Sequence, residues 1–333
     1  MPSPDCFFID SRDLYMLLRF YSCKVLHNPP SPADNSNMNT WIVLIFLLAA
    51  DYGDPSYIAN LEKKAANNPS DWQTRLELVE LFIDQNNLAD AQKNILEVAA
   101  TATGGGDTCN ARLYYLWGKV NDLRDNIAGA MEKYTQAVRC DSTFSDAWRK
   151  MGYLHEVFAN YEQMLFCFQQ ALPFTEDRSG LYYDIGVAYD YLDSSSQALN
   201  SYYQSLNSGD TIPEALLNLG VDWELLGYPD SAALYFEKAI AADFDNPELY
   251  YNMGVMMFDS GVYAEALDNF MRTLALNPYY SPAKLQLGRI YEIMGDSGMA
   301  RIYFEDFVKT APILYSDDIE AVKEKLEKYN TAK

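Results

Sequence analysis

Residues 213–246 read PEALLNLGVDWELLGYPDSAALYFEKAIAADFDN, and residues 247–280 read PELYYNMGVMMFDSGVYAEALDNFMRTLALNPYY. Laid over one another, the two stretches share a glycine (Gly220, Gly254), an alanine (Ala232, Ala266) and an aromatic (Phe236, Phe270), each pair 34 residues apart. The same beat runs without a gap from Ala111 to Leu314. Its glycines are Gly118, Gly152, Gly186, Gly220, Gly254 and Gly288, and its aromatics are Tyr134, Phe168, Tyr202, Phe236, Phe270 and Phe304. Four residues before each aromatic stands Ala130, Met164, Ala198, Ala232, Ala266 or Ala300. A fixed period of this length marks a solenoid.

Each period is a helical hairpin. Around the glycine, apolar residues fall at helical spacing, as in Tyr250, Met253 and Met257, and the second half repeats the pattern in Ala232, Phe236, Ala239 and Ile240. Breakers separate the halves, as at Gly227-Tyr228-Pro229-Asp230 and Gly261-Val262-Tyr263. Glycine inside a helix costs about 1 kcal/mol against alanine, so six recurrences call for close helix–helix approach. The expectation is that each glycine faces a small residue sixteen places earlier or twelve later. Such a hairpin buries its apolar faces only against its neighbours.

These residues resemble the tetratricopeptide repeat family, whose period is W-x2-L-G-x2-Y, A-x3-F, P. Trp148, Gly152, His155, Phe168 and Ala171 fit one copy loosely; Leu287, Gly288, Tyr291, Gly295, Ala300, Phe304 and Pro312 fit another closely. Asn121 and Met164 depart from the pattern without breaking the period. The resemblance implies an all-α, right-handed α-solenoid of stacked helix-turn-helix hairpins, closed by a C-terminal capping helix.

The organisation follows from the register. Six contiguous repeats occupy 111–314, preceded by a divergent repeat at 72–105 with Leu78, Phe82, Ala91 and Ile95 in the diagnostic places. A half-repeat helix is expected over 55–67, opened by Asp54-Pro55. Residues 316–331 carry one apolar stripe (Ile319, Val322, Leu326, Tyr329) on a charged helix, the pattern of a terminal cap. The repeats argue for one elongated array.

Ahead of the repeats, residues 1–37 match nothing in the period and end in a polar stretch that reads as disordered. Residues 38–50 contain the apolar run Trp41–Ala50, too short for a membrane span of about 20 residues but the size of a signal-peptide core. A buried solenoid helix is the competing reading, though the run has no polar face. No Lys or Arg lies between Met38 and the run, and Leu48-Ala49-Ala50 departs from a signal cleavage site. Arg19 and Lys24 before the run, with Asp51 and Asp54 after it, place the repeats outside the cytoplasm whether the segment is cleaved or stays as an anchor. Met38 reads as the true start, and a cytoplasmic scaffold is the alternative.

The formal net charge is −22. Residues 1–50 hold three basic and four acidic side chains, a net of −1, which leaves −21 for the rest. That field excludes nucleic acid and anionic lipid as partners and favours a basic or neutral protein or peptide. With two histidines a multi-histidine metal site is ruled out, and His155 takes the place of a packed core aromatic. The five cysteines show no C-x-x-C spacing. Cys109 precedes the first helix of its repeat and Cys140 follows the second, on one edge of the hairpin. In an oxidising compartment the two could close a disulfide; helix axes about 8–10 Å apart can hold Cα atoms beyond the reach of about 7 Å for that bond, so two free thiols are the favoured expectation. Gly104-Gly105-Gly106 lacks the following Lys-Ser/Thr of a phosphate loop.

No catalytic constellation or nucleotide fingerprint is present, and no cofactor is implied. The reading is a non-catalytic interaction scaffold that binds a peptide or partner segment in the concave groove lined by first helices. The alternatives are an exported ligand-binding protein, for example glycan-binding through its tyrosines, and an architectural envelope protein. Three residues before the repeat glycines stand the candidate groove residues Tyr115, Arg149, Tyr183 and Tyr251. One place on are Asn218 and Asn252, which with Gln286 resemble the asparagine ladder of some family members, and Tyr153 follows Gly152. Arg149, Lys119 and Arg289 are too scattered for the family's carboxylate clamp. Four residues after the glycines stand Asp122, Glu156, Asp190, Glu224, Phe258 and Glu292, acidic in five of six. Seven residues is close to two helical turns, so the acidic and aromatic ranks share a face and predict a partner rich in Lys, Arg and aromatics.

Overall fold

A computed structural model describes residues 55–102, 109–209, 211–242 and 244–331. The leader and apolar run at 1–50 and the glycine run at 104–106 lie outside the described residues. Among those described there are sixteen α-helices, one short 3-10 turn and no strand. The fold class is the all-α α-solenoid type, with consecutive helices packed in pairs. The chain divides into two compact units between Ala147 and Trp148, where the unbroken period argues for a single array.

The first unit holds α1 (Pro55–Asn67), then the pairs α2 (Trp72–Asp84) with α3 (Leu88–Ala102) and α4 (Ala111–Asp122) with α5 (Ile127–Cys140). Leu61 and Ala65 of α1 are buried against Leu78, Val79 and Phe82, and the same core continues through Ile95 to Leu116 and Val120. Asp71 and Asn110 cap α2 and α4 by accepting from the Thr74 and Leu113 amides.

Helix α6 (Ser145–Val157) leads into the second unit. Its pairs are α6 with α7 (Tyr161–Ala171), α8 (Arg178–Asp190) with α9 (Ser195–Asn207), and α10 (Pro213–Leu225) with α11 (Pro229–Ala241). They continue with α12 (Pro247–Asp259) and α13 (Tyr263–Leu276), then α14 (Ser281–Ile293) and α15 (Ser297–Thr310). Helix α16 (Ser316–Thr331) follows, with Val322 buried and Ile319, Leu326 and Tyr329 packed beside it on Phe304 and Phe307.

The turn inside each hairpin keeps the beat in its backbone. Asp125, Ala159, Asp193, Gly227, Gly261 and Gly295 all have φ between 52° and 83°. Ala159, at 54°, sits in a left-handed conformation that costs an alanine energy and a glycine almost none.

The expectation that small residues face the repeat glycines is corrected. What lies over each glycine is the aromatic ring sixteen residues later: Tyr134 on Gly118, Phe168 on Gly152, and so on to Phe304 on Gly288. A Cβ at Gly254 would stand 2.7 Å from the Phe270 ring, and the other five would be closer. Those six aromatics are almost completely buried. The glycine is therefore a seat for a ring, and its helix cost is offset by burying a side chain worth about 1.5–3 kcal/mol. Gly220→Ala is expected to lower the denaturation midpoint. Overpacking against Phe236 costs about 1–3 kcal/mol, more than the gain of about 1 kcal/mol in helix propensity.

The free-thiol expectation is also corrected. Cys109 and Cys140 are disulfide-bonded, with Cα atoms 5.2 Å apart. Cys109 lies ahead of α4 and Cys140 is the last residue of α5, so the chain ends approach more closely than the helix axes do. A cross-link spanning 31 residues constrains the unfolded chain by about 2–4 kcal/mol. Cys109→Ser with Cys140→Ser is expected to lose that amount in a denaturant titration, and reductant is expected to move wild type to the variant's curve while leaving the variant unchanged. Cys167 is a buried free thiol, its pKa pushed up to about 12 by burial.

Candidate functional site

The twelve candidate residues fall on first helices of both units, Tyr115 and Asp122 in the first and the other ten in the second. Tyr115 packs at 5.8 Å from the Tyr134 ring and 5.1 Å from Phe144. Asp122 is half-buried in the last turn of α4, near the Tyr134 hydroxyl.

In the second unit, Arg149 of α6 is consumed by the chain itself. Its Nε donates to Asp184 Oδ2 (2.6 Å) and to Tyr153 Oη (2.9 Å), and its Nη1 to Asp177 Oδ2 (2.8 Å). Tyr153 Oη donates to the same Asp184 oxygen at 2.7 Å. Asp184 is 7 % exposed. Burial pushes its carboxyl up, and Arg149 and Tyr153 pull against that shift without cancelling it. Arg149 and Tyr153 thus join α6 to α8, where the sequence places them as groove residues.

The aromatic rank is part packing and part surface. Tyr183 leans on Tyr202 (5.9 Å), and burial pushes its hydroxyl up to about 12. Tyr251 lies between Phe270 (5.6 Å) and Tyr280 (5.1 Å). Both are half-buried. Of the ladder amides, Asn218 Nδ2 donates to Tyr202 Oη at 2.9 Å, and Gln286 hydrogen-bonds Tyr251. These amides hold tyrosines of the array, and Asn252 is half-buried on α12.

The acidic rank is uneven. Glu156 accepts from Tyr191 Oη at 3.1 Å. Asp190 accepts from Tyr202 Oη and hydrogen-bonds Asp222. Glu224 is half-buried, its carboxyl pushed up by burial and by Asp259 of the next repeat. Glu292 is partnered within the chain: Lys325 Nζ lies 2.6 Å from one oxygen, and Tyr329 Oη donates to the other at 2.7 Å. Burial works to raise Glu292, but these two partners hold its carboxyl below the usual range. The expectation of a uniform open rail is corrected at Asp190 and Glu292. Leu326 lies 34 residues after Glu292, so α16 stands where another first helix would and supplies both partners of that carboxylate. Among the described residues, Glu224 and the exposed Asp259 remain neighbouring carboxyls without an ion pair.

Charge is concentrated around them. Residues 179–271 hold fifteen Asp and Glu and a single basic residue, Lys238. Apolar side chains at the hairpin turns stand beside the acidic rank, with Val157 63 %, Leu225 75 % and Ile293 51 % exposed. His155 is half-buried, its Nδ1 buried without a partner and its pKa lowered by burial.

Comparison with known proteins agrees with this geometry. Residues 281–313, which span α14, α15 and the link after them, match the family model described as tetratricopeptide repeat. A curated relative, the BBSome complex member BBS4 of Bos taurus, is 21 % identical over 225 residues. The match takes in 67 % of this chain and 42 % of that protein, so the chain spans well under half of the relative's length. Among solved structures, a tetratricopeptide repeat protein from Parabacteroides merdae aligns over 77 % of this chain and 97 % of its own, with 17 % identity and a TM-score of 0.56. PilW, a type IV pilus biogenesis factor, aligns over 64 % and 97 %, with 16 % identity and a TM-score of 0.56. The Cut9–Hcn1 hetero-tetramer of the APC/C aligns over 93 % and 59 %, with 14 % identity and the same score. At these identities the likeness is one of fold. With the 34-residue glycine and aromatic beat and the paired helices, the chain has the fold of tetratricopeptide repeat proteins, and residues 281–313 match one repeat of that family.

Proposed function

We propose that this protein is a non-catalytic interaction scaffold whose second unit binds a basic, aromatic-containing segment of a partner along the concave groove of its first helices. The observation that carries the reading is the charge block: fifteen carboxylates against one lysine over residues 179–271, with Asp259 near enough to Glu224 to push its carboxyl up. Like charges held this close are unfavourable without a cation between them. Tyr183 and Tyr251 offer half-buried rings for apolar and cation–π contact. The exposed Leu225 and Ile293 supply apolar area at the rim.

The Cys109–Cys140 disulfide supports an oxidising compartment, because such bonds are rare in reducing cytosol. It fits the export reading of residues 38–50. Among the described residues, no helix is long and apolar enough to cross a membrane.

The test uses the full chain and an acetylated, amidated peptide of alternating arginine and tyrosine. Binding is expected to weaken steeply as salt rises through the physiological range. Glu224→Lys with Asp259→Lys is expected to abolish it at unchanged helix content. Asp190, held by Tyr202 and Asp222, is unsuited to charge reversal because a lysine there would disturb the packing itself. Salt-independent binding, or normal binding by the double variant, would overturn the reading.

A further inference from the structure

Two residues after the repeat glycines the sequence runs Val120, Leu154, Ala188, Asp222, Met256 and Ile290, and all six are buried. Five are apolar core residues; the fourth is a carboxylic acid at 3 % exposure. Its Oδ2 is buried and receives no hydrogen bond from an N–H or a hydroxyl. A buried carboxylate oxygen without a donor is costly, so its persistence calls for a reason.

The surroundings are specific. Asp222 of α10 hydrogen-bonds the carboxyl of Asp190 at the end of α8. Two carboxylates only accept, so this contact requires one proton between them. Tyr202 Oη donates to Asp190, and Asn218 Nδ2 donates to Tyr202 Oη at 2.9 Å. The chain supplies no Lys or Arg from residue 179 to 237. Asp222 is sealed inside, whereas Asp190 is only half-buried and gives the pair an outer face.

We propose that Asp190 and Asp222 form the recognition subsite for one lysine or arginine head group of the bound segment, which takes the place of the proton the two carboxyls share. The proposal rests on the groove reading and adds which residues take the cation. The exchange balances in charge: one positive charge enters at the outer face of Asp190, one proton leaves to solvent, and both carboxyls are then ionised. Burial and the negative charge of Asp190 push Asp222 up to about 7, so near neutrality the proton is present and releasable. The groups that act on Asp222 are Asp190 from α8 and Tyr202 from α9; no charge on α11 or α12, the other helices packed on α10, shifts it.

The experiment is calorimetric titration of the full chain with the arginine–tyrosine peptide at pH 7 in phosphate and in Tris, whose ionisation heats differ. Wild type is expected to release about half to one proton per peptide, and its affinity to rise up to about tenfold per pH unit between pH 5 and 7, then level off. Asp222→Asn, with unchanged helix content, is expected to release no proton and to lose that pH dependence. In wild type, the carboxyl carbon of Asp222 followed by NMR is expected to titrate at lower pH with peptide bound than without. Salt-sensitive binding with no proton release, and no shift of the Asp222 titration, would overturn the subsite and leave the groove reading standing. No binding at all would overturn both.

Discussion

Arg149→Met is expected to destabilise the second unit by about 3–5 kcal/mol, because it removes the cation from a buried carboxylate without removing the carboxylate. Asp184 is 7 % exposed and takes its hydrogen bonds from Arg149 and Tyr153, with Asp177 sharing the guanidinium. Methionine fills much of the same volume but leaves Asp184 with the tyrosine hydroxyl alone. Adding Asp184→Asn is expected to restore most of the loss, since an amide needs no counter-charge. Repeat arrays need not unfold as one cooperative block, so the measurement is hydrogen exchange across residues 178–190 alongside a denaturant titration. A loss below about 1 kcal/mol would place the Arg149 network among solvated ion pairs.

The second large effect is a dependence on pH. In the folded chain Asp222 keeps its proton up to a pH of about 7, whereas an unfolded aspartate keeps it only below about 4. Between those values folding takes up a proton, so this group's stabilising contribution is fully present below about pH 4 and declines as pH rises. The slope reaches about 1.4 kcal/mol per pH unit and ends above the folded-state value. Asp222→Asn is expected to have no such term and to exceed wild type in stability at pH 8. Denaturation midpoints of the two proteins at pH 5, 6, 7 and 8 check it, and parallel curves would contradict the shared-proton assignment.

How legible all this was in the sequence differs from feature to feature. The helical hairpins were legible because six glycines and six aromatics recur at one period, and a ring seated on a glycine tolerates few other residues. What the glycine faces was not, since a period locates partners modulo 34 but does not say whether a small or a large residue fills the gap. Asp222 stood in view as the one acid in an otherwise apolar column. Reading it required lining up a position that no family motif marks. Arg149 gave no signal: its partners lie 28 and 35 residues away, and sequence does not distinguish an exposed arginine from one locked to Asp177 and Asp184. Lys284, 4 % exposed and held 2.8 Å from Asp306 and 3.0 Å from Thr310, was hidden in the same way. The disulfide was within reach of the sequence, but axis spacing was the wrong measure for residues at helix ends.

On the proposed function, the second unit selects cationic, aromatic-containing segments through the acidic face around Glu224, Asp259 and Tyr251. Selection of a random peptide display library on the immobilised full chain, in parallel with the Glu224→Lys, Asp259→Lys variant, tests it most directly. Wild type is expected to enrich peptides combining Lys or Arg with aromatic residues, eluted by salt, and the variant is not. Enrichment of acidic or uncharged peptides by wild type, or the same consensus on both proteins, would contradict it.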